Sequence, residues 1–359
     1  MKPKTKAVTA ALTGTALGLT GLAVIAMPAG AKDAPELPAI SAEELVQSVL
    51  TTDRSAMAGT VSVDNQLGLP AIPGLGDLSA GSAKVYSDGA GKNKVSLQSE
   101  GAERTILHDG ATVWNYNSAE RSATKITLPE DSEHGSLDEG TVADPAQATA
   151  AVLQYVRESS TVSVDGTATI ADRPAYELVF TPKPTERTLL REVRVAVDSA
   201  TRTPLQLSVL TNGSTDPALQ VGFSDIEFAP QPADLFTFTP PQGTTVTEEQ
   251  PSAGEPEKPA TGEEMEFVGE GWDTVVTTRI PAEVLSGDLP GGNGGDADRQ
   301  GMPTDPMALL AQFGKPVTGA FGNGYVITTK VGTALITDDG RVAAGAVPEQ
   351  VLIEALGSR

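Results

Sequence analysis

The spacing of hydrophobic residues along the chain predicts one helix followed by a long series of strands. In SAEELVQSVLTT, Ser41 and Glu44 form a capping box ahead of an apolar helical face. The residues of that face are Leu45, Val46, Val49 and Leu50. Beyond it, apolar and polar positions alternate in short segments separated by Gly, Asp and Asn, which is typical of strands. These segments are AGTVSVDNQLG, GSAKVYSD, KNKVSLQSE, RTILHDGATVWNYN and ATKITLP.

A second helix interrupts the series and more strands follow it. DPAQATAAVLQYVRES has Asp144 as N-cap and Pro145 at the first helical position. The later strand segments are TVSVDGTATI, PAYELVFTPK, LREVRVAVDS, PLQLSVLTN and LQVGFSDIEF. Near the C-terminus, GYVITTKVGTALITDDGRVAAGAVPEQVLIEAL predicts a β-meander with a terminal helix. The predicted fold class is α+β, with a large curved antiparallel sheet packed on helices and a small β-rich C-terminal domain.

The later strands each carry one apolar face. Val193, Val195 and Val197 are predicted to share one face of their strand, and Leu205, Leu207 and Val209 one face of the next. These faces must point into a common interior, which is either a second packed layer or, in a half-open barrel, a ligand cavity.

The chain divides into four parts. Residues 1–31 have a basic start, a long uncharged run and an A-x-A site, which predicts a signal peptide cleaved after Ala31, with an uncleaved anchor as the alternative. A large domain is expected over 36–247 and a small one over 265–359. Between them, 248–264 has the Pro, Gly and Glu composition of a linker, and 286–306 is predicted to be a flexible loop.

Charge and cysteine content narrow the classes of partner. The net charge is −22, so the chain would repel a phosphate backbone and nucleic acid is not expected as a partner. Anionic lipid headgroups would also repel the chain unless a local basic or apolar patch attracts them. The membrane contact that we expect is therefore peripheral or transient. With no cysteine, the chain can form no disulfide and carry no thiol-linked lipid anchor. An acidic, cysteine-free exported chain is consistent with a high-GC Gram-positive source.

Few residues offer catalytic chemistry. His108 precedes the Asp109-Gly110 turn and His134 lies in an acidic loop, so both are predicted to be solvated turn residues rather than zinc ligands. No G-x-S-x-G segment, P-loop or dinucleotide fingerprint occurs. Asp296 and Asp298 resemble half of a calcium loop, but the twelfth position lacks its glutamate. We therefore expect a non-enzymatic protein without a metal or cofactor.

Three stretches together resemble the LolA/LolB-like lipoprotein carriers, as an exported homologue of actinobacterial type. TILHDGATVWNYNSAERSATKITLP resembles a hairpin of that superfamily, LREVRVAVDSATRTPLQLSVL a later hairpin, and FSDIEFAPQPADLFTFTPPQGTTV the closing segment. The last contains Phe236 and Phe238 in a Phe-x-Phe-x-Pro-Pro-x-Gly pattern. Lys92 and Lys94 stand in the stretch where carriers of this kind have a lid-latching arginine.

The resemblance implies an unclosed β-barrel with helices as a lid over an apolar cavity. Its members carry lipid or lipoprotein acyl chains or, as RseB-like envelope regulators, bind a membrane partner such as an anti-sigma factor. The alternative for each candidate cavity residue is ordinary core packing. The candidates are Trp114, Tyr116, Tyr176, Phe180, Val195, Val197, Leu205 and Leu207.

Overall fold

A computed structural model describes residues 34–68, 80–99, 102–128, 159–249, 265–280 and 306–357. The predicted signal peptide, almost all of the second predicted helix, the linker from residue 250 onward, His134 and the half calcium loop lie outside these residues.

The described chain forms strands with a few short helices. The helices are α1 (Ala42–Thr51), α2 (Pro306–Phe313) and α3 (Glu349–Gly357). The strands of the first sheet are β1 (Met57–Asn65), β2 (Ala80–Ser87), β3 (Asn93–Ser99), β4 (Ala102–His108), β5 (Thr112–Asn117), β6 (Ser122–Thr127), β7 (Ser160–Ile170), β8 (Arg173–Pro182), β9 (Leu190–Asp198), β10 (Pro204–Thr211), β11 (Leu219–Glu227) and β12 (Thr245–Glu249). Those of the second are β13 (Glu266–Val268), β14 (Val275–Arg279), β15 (Lys315–Gly319), β16 (Gly322–Thr328), β17 (Thr333–Thr337) and β18 (Arg341–Gly345).

The first sheet is large and unclosed, as predicted. Its strand order is β12-β6-β5-β4-β3-β2-β1-β11-β10-β9-β8-β7, so β12 and β7 are its edges. All pairs are antiparallel except β12 with β6, which is parallel. Strand β12 also includes Glu248 and Glu249, which the composition assigned to the linker. They pair with Lys125 and Ile126, so this part of the linker prediction is wrong. Both residues can belong to a strand because its hydrogen bonds join backbone groups and do not depend on the polar side chains.

Strand register assigns residues to the two faces of this sheet, because directly opposite residues point to the same side. Trp114 is opposite Leu107, and successive pairs carry its face through β3 and β2 to Ala58 on β1. From the same face of β1, the pairing continues through β11 and β10 to Ala196 on β9. Val195 and Val197 neighbour Ala196 in sequence and therefore point to the opposite face. We call the Val195 side face A and the Trp114 side face B.

Helix α1 packs on face A at the β7–β10 end of the sheet. Leu45 and Val46 of α1 join a buried cluster with residues of β8 and β9. The strand members of this cluster are Tyr176, Leu178, Phe180, Val193, Val195 and Val197. The capping box predicted at the start of α1 is present, since the Ser41 side chain accepts from the Glu44 N–H and the Glu44 carboxylate accepts from the Ser41 N–H.

A β-bulge separates two leucines that the alternation placed on one face. Pro204 is opposite Val197 and Gln206 is opposite Ala196, so Leu205 is an extra residue in β10. Leu207 packs against the cluster beneath α1, whereas Leu205 is fully buried in a different cluster with Met57 and Phe223. The predicted common face of Leu205 and Leu207 is therefore wrong.

The second sheet confirms the predicted C-terminal meander and its terminal helix. Its order is β13-β14-β18-β17-β16-β15, and α3 packs onto it through Val351, Leu352, Ala355 and Leu356. Both sheets belong to one compact unit, Leu37–Arg359.

Trp272 joins the second sheet to the first. It lies in a 3₁₀ turn (Gly271–Asp273) before β14, yet its ring is buried in the α1 cluster of the first sheet. Its indole Nε1–H donates to Ser160 Oγ at 2.8 Å and its backbone N–H to Glu186 Oε2 at 3.0 Å. The two sheets thus share one buried aromatic side chain.

Candidate ligand-binding site

Five of the eight candidate residues lie together on face A under α1. Tyr176, Phe180, Val195 and Val197 are buried, and the half-buried Leu207 packs against them. In this arrangement the apolar side chains of the strands contact the apolar side chains of α1. The result is a continuous hydrophobic layer at one end of the sheet.

Helix α1 is a small cover for this layer. It has 10 residues, of which only Leu45 and Val46 are buried. Ahead of it, Leu37 and Ile40 pack against the same cluster, and the Tyr176 hydroxyl donates to Pro38 O at 2.9 Å. An isolated helix of this length is unstable in water, so its position depends on these few contacts.

The other three candidates do not contribute to this layer. Trp114 and Tyr116 are on face B, where both rings pack against Phe238 at centroid distances of 5.1 and 5.4 Å. Lys125 Nζ lies 5.8 Å from the Trp114 ring and pairs with Glu248 at 3.1 Å. Leu205 is buried at the bulge. The eight candidates therefore do not line one common surface.

A buried carboxylate fixes the β9–β10 turn next to the layer. Asp198 is fully buried and accepts from Arg173 Nε at 2.5 Å and Nη2 at 3.1 Å. The N–H groups of Ala200 and Thr201 and the Thr201 hydroxyl also donate to it. Burial alone would raise the pKa of Asp198. The hydrogen bonds from Arg173, Thr201 and Ala200 outweigh it and hold the pKa below its ordinary value.

A groove of about 550 Å³ lies where the two sheets meet. Its lining combines apolar side chains of the second sheet and α3 with charged ones, among them Glu270. Arg187 at its rim donates through Nη1 to Glu354 at 2.6 Å and through Nε to Asp273 at 3.3 Å. On β13, Phe267 is 68% exposed. The groove therefore has an acidic rim, whereas the ring of Phe267 is on the opposite side of β13 from Val268 of the groove lining.

His108 differs from the prediction. It is half-buried rather than solvated, and its Nδ1 lies 2.9 Å from Gly91 O, which requires Nδ1 to carry the proton. Its Nε2 is buried and has no hydrogen-bond partner within the described chain. The ring is thus held against the β2–β3 turn by one backbone carbonyl.

Among the residues that the structure describes, no group of three or more His, Cys, Asp or Glu side chains is placed to hold a metal ion. No helix in this part of the chain is long and apolar enough to cross a membrane.

Sequence reasoning missed Trp272 and the contact of Phe238 with the aromatic pair. Trp272 stands in a short polar segment, and no local pattern marks it as part of a distant core. Phe238 belongs to the Phe-x-Phe-x-Pro-Pro-x-Gly pattern of the closing segment. Its spacing of two from Phe236 is the sequence signal that both rings can be apolar contacts of this segment.

Comparison with known proteins finds similar folds at low identity. The Pseudomonas aeruginosa MucA/MucB complex matches with 16% identity and a TM-score of 0.44, covering 88% of this chain and 96% of that chain. An uncharacterised conserved protein from Thermus thermophilus matches with 13% identity and a TM-score of 0.36, covering 58% and 99%. A LolA superfamily protein from Nitrosomonas europaea matches with 14% identity and a TM-score of 0.25, covering 56% and 99%.

No family model and no curated protein sequence matches the chain. At these TM-scores, the structural likeness assigns neither an activity nor a partner to it.

Proposed function

We propose that this protein is an exported, non-enzymatic binding protein that carries lipid or lipoprotein acyl chains. The observation that supports the proposal most directly is the apolar layer between face A and α1. An unclosed sheet presents this layer, and within the described chain the short helix α1 covers it. The three sequence stretches that resemble lipoprotein carriers also support this function.

The physical basis of binding would be exchange of one apolar contact for another. An acyl chain that displaces α1 would contact Val195, Val197 and Leu207 in place of Leu45 and Val46. Each methylene removed from water contributes about 0.8 kcal/mol, so a long chain can offset the loss of the few contacts that hold α1. The ring of Trp272 lies in the same layer and would report on such a ligand.

The chain has two tryptophans, on opposite faces of the first sheet, and this permits a direct test. Delipidated Trp114→Phe protein, which keeps only Trp272, is titrated with brominated palmitate, whose bromines quench nearby indole fluorescence. The Trp272→Phe protein, which keeps only Trp114, is the matched control. We expect quenching in the first and little in the second, together with a higher Tm for the wild type with palmitate. Quenching of Trp114 alone would move the ligand to face B, and no binding in any protein would end the proposal.

The junction groove favours a second candidate function, an envelope sensor that binds the external segment of a membrane protein, in the manner of RseB-like regulators and anti-sigma factors. Its acidic rim suits a peptide with basic side chains, and the exposed Phe267 on the other side of β13 offers that partner an apolar contact. Such a partner would be bound without any lipid.

The two functions predict different responses. For the sensor, a Phe267→Ala variant should lose capture of a membrane-protein ectodomain while bromopalmitate quenching of Trp272 stays unchanged. Loss of both together would contradict separate sites.

A further inference from the structure

Arg202 has an unusual backbone conformation next to the apolar layer. It lies in the β9–β10 turn with φ of +60°, a left-handed conformation that residues with a Cβ rarely adopt. Its backbone N–H donates to Asp198 O at 3.1 Å. Glycine or asparagine would meet this backbone requirement more easily, so the arginine side chain needs a separate reason.

The Arg202 side chain lies over the site rather than in solvent. Its guanidinium carbon is 5.4 Å from the centre of the Tyr176 ring. Tyr176 belongs to the buried cluster, and its hydroxyl donates to Pro38 in the segment that leads into α1. The positive charge therefore stands at the edge of the apolar layer, close to where the chain enters its helical cover.

The guanidinium of Arg202 has an unused donor. Within the described chain, Nη1 is buried and has no hydrogen-bond partner. Arg173, near the same end of the sheet, instead places both Nε and Nη2 on Asp198. Asp198 cannot also accept a hydrogen bond from Arg202, because Arg173, Ala200 and Thr201 already donate to its carboxylate. A buried donor of a charged group without an acceptor is costly, which points to an acceptor from outside the described residues.

We propose that Arg202 binds the anionic headgroup, a carboxylate or phosphate, of an amphiphile whose acyl chain lies under α1. This inference rests on the proposed function and adds the ligand class to it. The planar fork of a guanidinium matches an oxyanion, and the pair forms charge-assisted hydrogen bonds. The apolar layer beside it would take the chain, so head and tail are bound by adjacent groups. On a protein of net charge −22, this local cation would also favour the approach of an anionic lipid.

The test compares palmitate with hexadecanol, which has the same chain length and no charge. Both are titrated into delipidated full-length wild type, Arg202→Gln and Arg202→Lys, and into Arg121→Gln as the matched control. Arg121 also has a positive φ, of 49°, but is exposed in the β5–β6 turn. We expect the wild type and the control to prefer palmitate by at least about tenfold, the scale of one charge-assisted hydrogen bond. Arg202→Gln should bind both ligands equally, and Arg202→Lys should keep part of the preference.

Each outcome decides between the two proposals. If both ligands bind the wild type equally, or if Arg202→Gln keeps the preference, the headgroup site is refuted and the acyl carrier remains. If neither ligand binds, the carrier and the headgroup site are both refuted. Inorganic phosphate is the final arm. Suppose that phosphate alone binds the wild type, that Arg202→Gln does not bind it, and that palmitate does not displace it. Arg202 then binds a free anion, and the lipid assignment is wrong.

Discussion

Replacing Trp272 by alanine should both destabilise the protein and uncouple its two sheets. The indole is only 6% exposed and lies in the core of the first sheet, although its backbone belongs to the turn before β14 of the second. Truncation therefore leaves a cavity in one sheet and removes an anchor of the other.

The size of the effect follows from what the ring contacts. Loss of a buried tryptophan ring costs about 3–5 kcal/mol of unfolding free energy. Within that, the bond from Nε1 to Ser160 accounts for about 1 kcal/mol, because it leaves a buried hydroxyl without this partner. A Trp272→Phe variant keeps most of the ring and should lose about 1–2 kcal/mol.

Urea denaturation followed by two signals provides the assay. Far-ultraviolet circular dichroism reports both sheets, whereas in Trp272→Ala the fluorescence of Trp114 reports the first sheet alone. We expect coincident transitions in the wild type and separate ones in Trp272→Ala. Trp114→Ala is the matched control, since Trp114 is in the first sheet and contacts Phe238 in the segment before β12; its two transitions should stay coincident.

The coupling argument has a clear refutation. If Trp272→Ala loses less than about 1 kcal/mol and its two transitions still coincide, the ring does not join the sheets.

Three further changes test other parts of the structure. Phe238→Leu should red-shift Trp114 emission and cost about 1 kcal/mol, because it removes the ring packed on Trp114; an unchanged emission maximum would argue against that packing. Gly271→Ala should lower Tm, since φ is +61° there and a Cβ would lie 2.4 Å from Ser159 Cβ; a Tm equal to the wild type would contradict this close approach. Asp198→Asn should cost about 3 kcal/mol at neutral pH. The lowered pKa of Asp198 stabilises the fold above its ordinary value of 3.8 and ceases to do so as pH falls through the folded-state pKa. Denaturation from neutral to acid pH should therefore show a flatter acid limb in the variant, and parallel curves would refute this role.

Alternation of side chains was enough to predict β1–β11 and the C-terminal meander of β16–β18, but not β12–β15. Helical spacing of apolar residues and the capping box predicted α1. These features depend on neighbours in sequence, which is why Ser41, Glu44 and the apolar positions of β9 could be recognised directly. The same alternation correctly grouped Val195 with Val197.

Which residues share an environment was decided by the tertiary structure. The extra residue Leu205 interrupts the alternation of side chains along β10. The position of this bulge depends on how β10 pairs with β9. Trp114 and Val195 are both apolar strand residues, but only the register across six intervening strands shows that they point to opposite faces. Phe238 and Trp272 reach their partners from far along the chain, through contacts that no local pattern encodes. The sequence by itself determined the local elements, because backbone geometry fixes their periods. Pairing and packing between distant segments determined the candidate site.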